Sequence, residues 1–473
     1  MIDFYNSEVK RFDAAHPGLP KKAREEKVDD FINTDPGEIS WTRALKGDLA
    51  KGNIFSLDPK SLTHGTYRPY TKQWMYFNRR FNEMVYQIPK IFPSSETGNK
   101  IISIAGVGAR AFSTLMSDQI PCLDSIEKGQ CFPTHLYEDA EGASAVSSQQ
   151  SVYSVLPAGQ ATAAQSGHLP DTLGNEGIFS SDDGQRTGSA HGRRRPVLSN
   201  VSVRQHGGRS MSTYATQGSL FPEGTNMETQ NNPTPTGNAQ VIVTSDGRTF
   251  TRREAITDAG LKHFQDAYPN EAITKEDLFY YIYGILHSPD YRERYADNLA
   301  KELPRIPRVQ HARDFWHFSK AGRELGHLHL NYESVEKYPL TLDTRGSALN
   351  TFNAADYRVE KMKFAKKKDP ETGKSINDRS TVIYNTRITL KNIPAEAWEY
   401  VVNGKAALDW VMERQSVKTD KDSGIVNDAN DWAIETMDNP AYPLELFQRV
   451  VTVSIETMKI VRALPALVIR EDG

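Results

Sequence analysis

The stretch TKEDLFYYIYGILHSPDYRERYADNLAKELPRIPRVQHARDFWHFSKAGRELGHLHLNYE, Thr274 to Glu333, decides the helical part of this chain. Thr274 can cap a helix whose third residue is Asp277, an arrangement typical of a capping box. Four apolar residues that follow recur at helical spacing and share one face: Leu278, Tyr281, Ile282 and Ile285.

A second helix is predicted to begin at Ser288, with Pro289 at its first position, where the missing N–H costs nothing. Apolar residues then recur every four positions, at Tyr291, Tyr295 and Leu299, until two prolines, Pro304 and Pro307, stop the helix. The two helices are predicted to pack antiparallel across a tight turn.

Other stretches, in chain order, carry a resemblance to a known family. They are YRPYTKQWMYFN (Tyr67 to Asn78), KGQCFP (Lys128 to Pro133), TVIYNTRI (Thr381 to Ile388), IPAEAWEYVVNGKAALDWVMERQ (Ile393 to Gln415) and DKDSGIVNDANDW (Asp420 to Trp432). With the helical pair, they cover nearly all of the chain outside residues 141 to 247. The chain resembles the C-terminal specificity domain of type ISP restriction-modification enzymes, in which one polypeptide carries nuclease, helicase-like ATPase, adenine methyltransferase and target-recognition parts.

The resemblance implies that the chain reads an asymmetric DNA site while a flipped adenine reaches the methyl donor in the neighbouring domain. The implied partners are double-stranded DNA and the methyltransferase/helicase-nuclease portion or subunit of the same system. No cofactor is expected in this chain; S-adenosylmethionine, ATP and Mg are expected only in parts of the enzyme that it lacks. We expect a separate specificity polypeptide or the remnant of a split enzyme, without catalytic activity of its own.

Two other classes of function stay open. An adenine-specific DNA methyltransferase subunit would need the Gly-x-Gly loop in IISIAGVGARAF (Ile101 to Phe112) to bind S-adenosylmethionine. Such a loop needs a following helix and an acidic residue after the next strand, and without them a structural turn is favoured. A non-DNA adaptor would instead dock a partner enzyme through its amphipathic amino-terminal helices. The amino-acid sequence identifies neither the DNA sequence that is recognised nor the partner enzyme.

Composition is that of an ordinary water-soluble chain. Among its 473 residues, 38% are hydrophobic and 25% are charged, and neither a membrane span nor a signal-peptide core is evident, so a cytoplasmic location is expected. The two cysteines, Cys122 and Cys131, fit no zinc pattern and are expected to be ordinary thiols.

The net charge of −3 hides a strong segregation of charge along the chain. Ten Lys and Arg stand against four Asp and Glu between Tyr357 and Lys391, and seven against two between Tyr67 and Arg110. Acids lead by seven to three between Val411 and Pro440. Solvated faces would explain these runs equally well, but a surface that faces DNA phosphates requires such a cationic concentration.

The fold class is predicted to be α+β, with a β-rich recognition core that carries helical hairpins, a second mixed α/β lobe and a long disordered insertion. A helical coupling segment is expected to join a neighbour rather than form a core, and the insertion is too poor in large apolar residues to fold. The predicted parts are residues 1–60 (coupling segment), 61–141 (β-rich part), 142–247 (insertion), 248–345 (helical part) and 346–473 (mixed α/β part). Ile393 to Gln415 is predicted to be helical around Asn403-Gly404.

Three other motifs are weaker than they look. Thr372-Gly373-Lys374-Ser375 ends like a phosphate-binding loop but lacks the upstream glycine. Asn439-Pro440-Ala441-Tyr442 differs from the adenine-methyltransferase motif in its second proline and its context. His327 and His329 would point about 200° apart on a helix and could not chelate one metal ion together.

The candidate DNA-facing residues are basic side chains from the two cationic runs. Asn385 is added because it could read a base edge, although a turn role explains it as well. The set is Arg68, Lys72, Arg79, Arg80, Lys361, Lys363, Lys366, Lys367, Arg379, Asn385 and Arg387.

Overall fold

The structure, a computed structural model, describes residues 1–83, 85–140, 240–244 and 247–471. Helices and small sheets follow one another along these residues, which confirms the predicted α+β class. The predicted disordered insertion, residues 142–247, lies outside the described residues except for 240–244 and 247. There the structure differs from the prediction, because Gln240–Val243 form a strand that pairs with Thr249–Glu254.

The amino-terminal segment is helical as predicted and forms a core of its own. Its helices are α1 (Ile2–Ala15), α2 (Lys21–Phe31) and α3 (Arg43–Ala50). Tyr5, Phe12 and Leu49 are fully buried among them. The expectation that this segment would not build a core was wrong, because the apolar faces of its helices pack against each other. A coupling role for it stays a prediction.

The β-rich part consists of three-stranded sheets, as the strand-like runs predict. Its elements are β1 (Leu62–Arg68), β2 (Thr71–Tyr76), α4 (Ile88–Ile91), β3 (Ile101–Ile104), β4 (Thr114–Ser117), β5 (Ile120–Pro121), β6 (Gln130–Pro133), β7 (His135–Asp139), β8 (Gln240–Val243) and β9 (Thr249–Glu254). The strand orders are β2-β1-β5, β4-β3-β6 and β7-β9-β8.

The helical part contains both predicted caps, at the starts of its second and third helices. Its helices are α5 (Asp258–Ala267), α6 (Lys275–His287), α7 (Pro289–Arg294), α8 (Ala296–Leu299) and α9 (Ala312–Leu330). Thr274 and Asp277 form the capping box of α6, and the Ser288 hydroxyl caps α7. The helix that begins at Pro289 ends earlier than its apolar spacing predicts, since α7 stops before Tyr295.

The packing partner of α6 is α9 rather than α7, which corrects the predicted hairpin of consecutive helices. The two helices meet at glycines, because a side chain on Gly284 or Gly322 would overlap the backbone of the other helix. The Ser319 hydroxyl also donates to the Asp277 carbonyl at 2.8 Å. Backbone contact at this crossing lets α6 lie in the centre of the helical core, where nearly all of its residues are buried.

The carboxyl-terminal part is mixed α/β, as predicted. Its elements are β10 (Thr341–Asp343), α10 (Ala354–Tyr357), β11 (Lys363–Lys368), β12 (Ser375–Ile383), β13 (Thr389–Lys391), β14 (Val401–Val402), β15 (Lys405–Ala406), α11 (Ala407–Arg414), β16 (Val417–Thr419), β17 (Val426–Asp428), α12 (Ala429–Asp431) and α13 (Tyr442–Arg462). Its main sheet has the order β10-β13-β12-β11, and α13 closes the core over it. In the described part of the chain, no helix has the length and apolar character needed to cross a membrane.

The stretch around Asn403-Gly404 is a β-hairpin rather than a helix. Both residues have positive φ, +52° and +76°, as the tight turn between β14 and β15 requires. The Asn403 side chain also accepts the backbone N–H of Glu127 at 2.9 Å. The prediction was wrong because each strand is only two residues long, and because the helical pattern resumes at once in α11.

Candidate nucleic-acid interface

The sheet β10-β13-β12-β11 brings most of the candidate DNA-facing residues together. Its register forms one transverse row, in which Asp343 lies opposite Thr389, Thr389 opposite Ile383, and Ile383 opposite Lys363. The chain segments beyond this row, at residues 344–347, 384–388 and 361–362, therefore lie at the same end of the sheet. The hairpin turn between β11 and β12 lies at the opposite end.

The hairpin of β11 and β12 carries exposed lysines along its length. Lys366 donates to the Asn377 side chain at 2.6 Å, and Lys367 lies 3.5 Å from the Asp378 carboxylate. The other lysines of this hairpin and of the residues just before it are exposed and form no ion pair with any described residue: Lys361, Lys363, Lys368 and Lys374. The strand β11 is thus an edge strand whose cationic groups are largely available to an anionic ligand.

The sequence that ends like a phosphate-binding loop is the turn of this hairpin. The Asp369 carboxylate accepts the N–H groups of Glu371 and Thr372 at 3.0 and 2.8 Å, and Gly373 has φ +65°. The turn's N–H groups therefore bind its own aspartate. This geometry confirms that the turn is not a phosphate-binding loop, whereas contact of Lys374 with the DNA backbone stays a prediction.

Two arginines of the candidate set, on or next to β12, are held by side chains from the elements packed around this sheet. Arg379 lies over the Trp398 ring, 5.0 Å from its centre, and 3.8 Å from Asp409. Arg387 pairs with Asp356 at 3.2 Å and is about half exposed. Burial raises the pKa of Asp409, and Arg379 opposes that effect. These arginines have fixed positions and still present part of the guanidinium to solvent.

Asn385 serves as a turn residue. Its amide nitrogen donates to the carbonyl oxygens of Asp356 and Arg358, both at 2.9 Å. Its amide oxygen accepts the N–H groups of Arg387 and Ile388, both at 2.8 Å. All four hydrogen-bonding positions of the side chain are occupied, so no donor or acceptor remains for a base edge without breaking the turn.

The remaining candidates lie on and after the β1–β2 hairpin and are not part of this sheet. Lys72 is only 19% exposed and pairs with Glu333 at 2.6 Å, and Arg80 pairs with the buried Asp48 at 3.3 Å. Arg68 stacks on the Tyr67 ring at 4.3 Å. Arg79 is exposed and, as far as the described residues go, has no ion-pair partner. Of these four residues, Arg79 is therefore the one whose charge is most available.

The set omitted Arg345, which lies at the sheet end shared by Arg387 and Lys361. Its neighbour Asp343 accepts the Arg345 backbone N–H at 3.1 Å and pairs with Lys391 at 2.8 Å. The hydrogen bond from Lys391 and that backbone N–H lower the pKa of Asp343. The sequence signal for Arg345 is the Thr344-Arg345-Gly346-Ser347 turn directly after a short strand, just outside the cationic run that was counted.

The Gly-x-Gly loop after β3 is a structural turn. Gly106 donates its N–H to the Glu127 carbonyl at 3.1 Å, and Gly108 donates to the Ala300 carbonyl at 3.2 Å. A Cβ on Gly106 would overlap the backbone of Lys128. Both glycine N–H groups are therefore engaged, and the chain continues into β4, an antiparallel neighbour of β3, instead of the helix that follows a nucleotide-binding loop.

The side chains of the His327/His329 pair, of Cys131 and of the Asn-Pro motif are explained by their contacts within the fold. His329 is buried between the Tyr283 hydroxyl and the Thr457 hydroxyl, at 2.6 and 2.9 Å, whereas His327 is exposed. This confirms that the two histidines point apart. Among the residues that the structure describes, no group of three potential ligands is arranged to hold a metal ion. Cys131 is a free thiol whose pKa burial raises to about 11, and the Tyr442 hydroxyl donates to Glu333.

The sequence model described as the type ISP C-terminal specificity domain matches residues 1–446. The chain belongs to this family. Three solved structures are similar to it: a nuclease-deletion mutant of the type ISP restriction-modification enzyme LlaGI in complex with a DNA substrate mimic, the ATP-dependent type ISP enzyme LlaBIII bound to DNA, and a DrdV–DNA complex.

These similarities extend over the whole specificity domain. The LlaGI structure is 28% identical with a TM-score of 0.62, and covers 100% of this chain. LlaBIII and DrdV are each 27% identical with a TM-score of 0.61, and cover 95% and 99% of this chain. The chain spans 31%, 21% and 33% of the lengths of these three proteins, in the same order. No protein of curated function matches the chain significantly.

Proposed function

We propose that this specificity domain recognises a particular sequence of double-stranded DNA and positions that DNA for the methyltransferase/helicase-nuclease portion or subunit of a type ISP restriction-modification system. The observation that carries the proposal is the basic β11–β12 hairpin within a chain that belongs to the specificity-domain family. The three similar solved proteins are each bound to DNA or to a DNA substrate mimic, which supports the same ligand here.

The lysines of β11 suit the sequence-independent part of such recognition. Phosphate contacts by flexible lysines supply affinity and orientation, whereas base contacts supply specificity. Lys361, Lys363 and Lys368 have the exposure that phosphate contact requires. Arg379 and Arg387 are held by acids and rings, so they have the fixed geometry that a more directional contact needs.

The chemistry of the system belongs, in this proposal, to its other portions. S-adenosylmethionine would bind the methyltransferase portion, and ATP with Mg the helicase-nuclease portion, while this domain selects the DNA and acts in the cytoplasm. Calorimetry of this chain with S-adenosylmethionine tests the division. Binding of S-adenosylmethionine at the Gly106–Gly108 loop would favour an active methyltransferase subunit instead. The variant Lys128→Ala, which removes the hydrogen bond to the Gly108 carbonyl, would test whether the cofactor binds at this loop.

Selection of the purified chain against a randomised duplex library tests recognition itself. The library is offered near physiological salt with a polyanion competitor, so that general charge attraction is suppressed. Enrichment of one asymmetric motif is the expected result and would give the recognised site. Salt-sensitive binding without enrichment would mean that the methyltransferase portion completes recognition.

Absence of duplex binding at low salt would contradict the proposal. It would favour the adaptor hypothesis, whose signature is binding to a partner enzyme that added DNA does not change. The matched control is the same selection with a chain in which Lys361, Lys363 and Lys368 are replaced by Ala, which should lower recovery of every duplex without changing the enriched motif.

A further inference from the structure

The turn that follows β10 holds an arginine in a backbone conformation that arginine rarely adopts. Arg345 has φ +55°, and the next residue, Gly346, has φ +84°. Two consecutive residues with positive φ at the centre of a four-residue turn are typical of a type I′ turn. Asn and Gly adopt this conformation readily, whereas Arg pays a steric cost at its Cβ.

The turn is fixed by its own hydrogen bonds. The Asp343 carboxylate accepts the N–H of Arg345 at 3.1 Å, and the Ser347 N–H donates to the Thr344 carbonyl at 3.2 Å. The Thr344 hydroxyl also donates to the Ser347 carbonyl. The base of the Arg345 side chain is therefore held rigidly. Strained positions that the surrounding structure fixes in this way are concentrated at ligand-binding sites.

The position of this turn relates it to the basic sheet. Asp343 belongs to the transverse row that also contains Thr389, Ile383 and Lys363, so Arg345 projects from the same sheet end as Arg387 and Lys361. Its side chain is exposed, and a Cβ placed on Gly346 would have open space around it. Arg345 thus lies on an outer corner of the surface proposed to face DNA.

The guanidinium of Arg345 forms no direct ion pair, unlike the guanidinium groups of the neighbouring arginines. Arg387 is paired with Asp356, and Arg358 is paired with Glu360 and Asp428. The Asp343 carboxylate next to Arg345 already pairs with Lys391 and accepts the Arg345 N–H. In the described chain no carboxylate oxygen lies within 4.0 Å of the Arg345 guanidinium, whose charge acts on Asp343 from a greater distance.

We propose that Arg345 is a specificity-determining residue that reads a guanine from the major groove. The inference rests on the proposed function and goes beyond it by naming the residue and the base. An exposed guanidinium matches the N7 and O6 acceptors of guanine with two parallel hydrogen bonds, which is the commonest specific arginine contact. The rigid turn supplies the fixed direction that such a bidentate contact needs, while the flexible lysines of β11 supply phosphate contacts.

The test uses the duplex enriched by the wild-type chain and its single-base-pair variants. Arg345→Gly removes the side chain and suits the positive φ, so its thermal midpoint should stay unchanged or rise, and unfolding cannot explain its effect. Arg345→Lys keeps the charge without the planar fork. Lys368→Ala changes the last residue of β11, at the other end of the sheet, and is the control for a phosphate contact.

The expected result is that Arg345→Gly lowers discrimination at one G·C pair about tenfold or more, and leaves discrimination elsewhere unchanged. Arg345→Lys should lose most of that discrimination while it keeps most of the affinity, and Lys368→Ala should weaken all duplexes equally. Equal weakening of all duplexes by Arg345→Gly would overturn the inference in favour of a phosphate contact. Unchanged binding by Arg345→Gly would also overturn it. A wild-type chain that binds duplexes but enriches no motif would overturn this inference alone, because this domain would then read no base by itself. A wild-type chain that binds no duplex would overturn the proposed function as well.

Discussion

Gly322 of α9 lies directly against the carbonyl group of Tyr280 of α6. A Cβ on Gly322 would overlap that oxygen and would come within 2.9 Å of the Gly284 nitrogen, so the helix crossing leaves no room for a methyl group. We expect Gly322→Ala to lower the free energy of unfolding by about 2–3 kcal/mol, since the strain of overpacking outweighs the higher helix propensity of alanine. Urea denaturation of both proteins measures the difference.

Gly47 in α3 is the matched control for this substitution. It is also a helical glycine, but a Cβ there would have no neighbour within 4 Å. Gly47→Ala should therefore raise the free energy of unfolding by about 0.5–1 kcal/mol. If Gly322→Ala were as harmless as Gly47→Ala, α6 and α9 could not be as close as the structure has them.

Mild acid should destabilise the helical core through two buried histidines. Burial lowers the pKa of His329 to about 3 and that of His287 well below its usual value, so both are neutral in the folded protein. Unfolded histidines titrate near pH 6.5, so the stability is fully present above that pH and is lost as the pH falls toward the folded pKa values. Denaturation curves should show a loss of about 2–3 kcal/mol between about pH 7 and about pH 5.5.

Substitution separates this histidine effect from that of carboxyl groups, which titrate at lower pH. His329→Gln should be less stable at neutral pH, because it loses one of the contacts to Tyr283 and Thr457, but its stability should fall less steeply with pH. His327→Gln changes an exposed side chain on the same helix and should keep the wild-type slope. Equal slopes for all three proteins would rule out His329 as a cause of the acid sensitivity.

Replacement of the adjacent residues Arg79 and Arg80 by alanine should have different effects on stability and on DNA affinity. Arg80 contacts Asp48, a carboxylate that is only 2% exposed and is also 3.8 Å from Lys51. Arg80→Ala should lower the free energy of unfolding by about 1–2 kcal/mol, because a buried charge loses one of its partners. Arg79→Ala should stay within about 0.5 kcal/mol of wild type and should lower DNA affinity. Thermal unfolding and a duplex titration of both variants give the comparison, and a larger stability loss for Arg79→Ala would contradict it.

Removal of the lysines near the β11–β12 turn should weaken binding to all duplexes alike. Replacement of Lys366, Lys367 and Lys368 by Ala should reduce the slope of log affinity against log salt by about 2–3, since each lost phosphate contact contributes about 0.9. Fluorescence anisotropy at several salt concentrations measures the slope. Replacement of three exposed lysines of α2 by Ala, at Lys21, Lys22 and Lys27, removes the same charge from another surface. An equal slope change in both triple variants would mean that net charge, and not this hairpin, controls affinity.

Local sequence signals were sufficient to predict where the helices begin and where most strands lie. Thr274 and Asp277 satisfy each other within four residues, so their capping box needs no information from the rest of the chain. Asn403-Gly404 is also a local signal, and it was misread because its strands are too short to show their period. The contact of α6 with α9 depends on glycines 38 residues apart in sequence, Gly284 and Gly322, and no pattern within α6 indicates that partner.

The candidate site also contains some features that the local sequence indicates and others that only the fold reveals. Charge counting found the lysines of β11, because they are consecutive in sequence and remain exposed in the fold. It could not find the acids that pair with other basic residues, since Glu333 is far in sequence from Lys72, and Asp48, on α3, lies 32 residues before Arg80. It missed Arg345, whose importance lies in a backbone conformation rather than in a local excess of charge.

The sheet β7-β9-β8 marks a natural insertion point for protein engineering. The described chain leaves β7 at Ala140, whose N–H donates to Thr249, and returns at Gln240, opposite Arg252. Both points are anchored on β9, on opposite sides of it and three residues apart along it, so they are separated by roughly 14 Å. A linker of only a few residues could span that distance, because an extended chain covers about 3.3–3.6 Å per residue. A reporter domain, or new termini in a circular permutant, could therefore be placed between Ala140 and Gln240 while the hydrogen bonds of all three strands are kept.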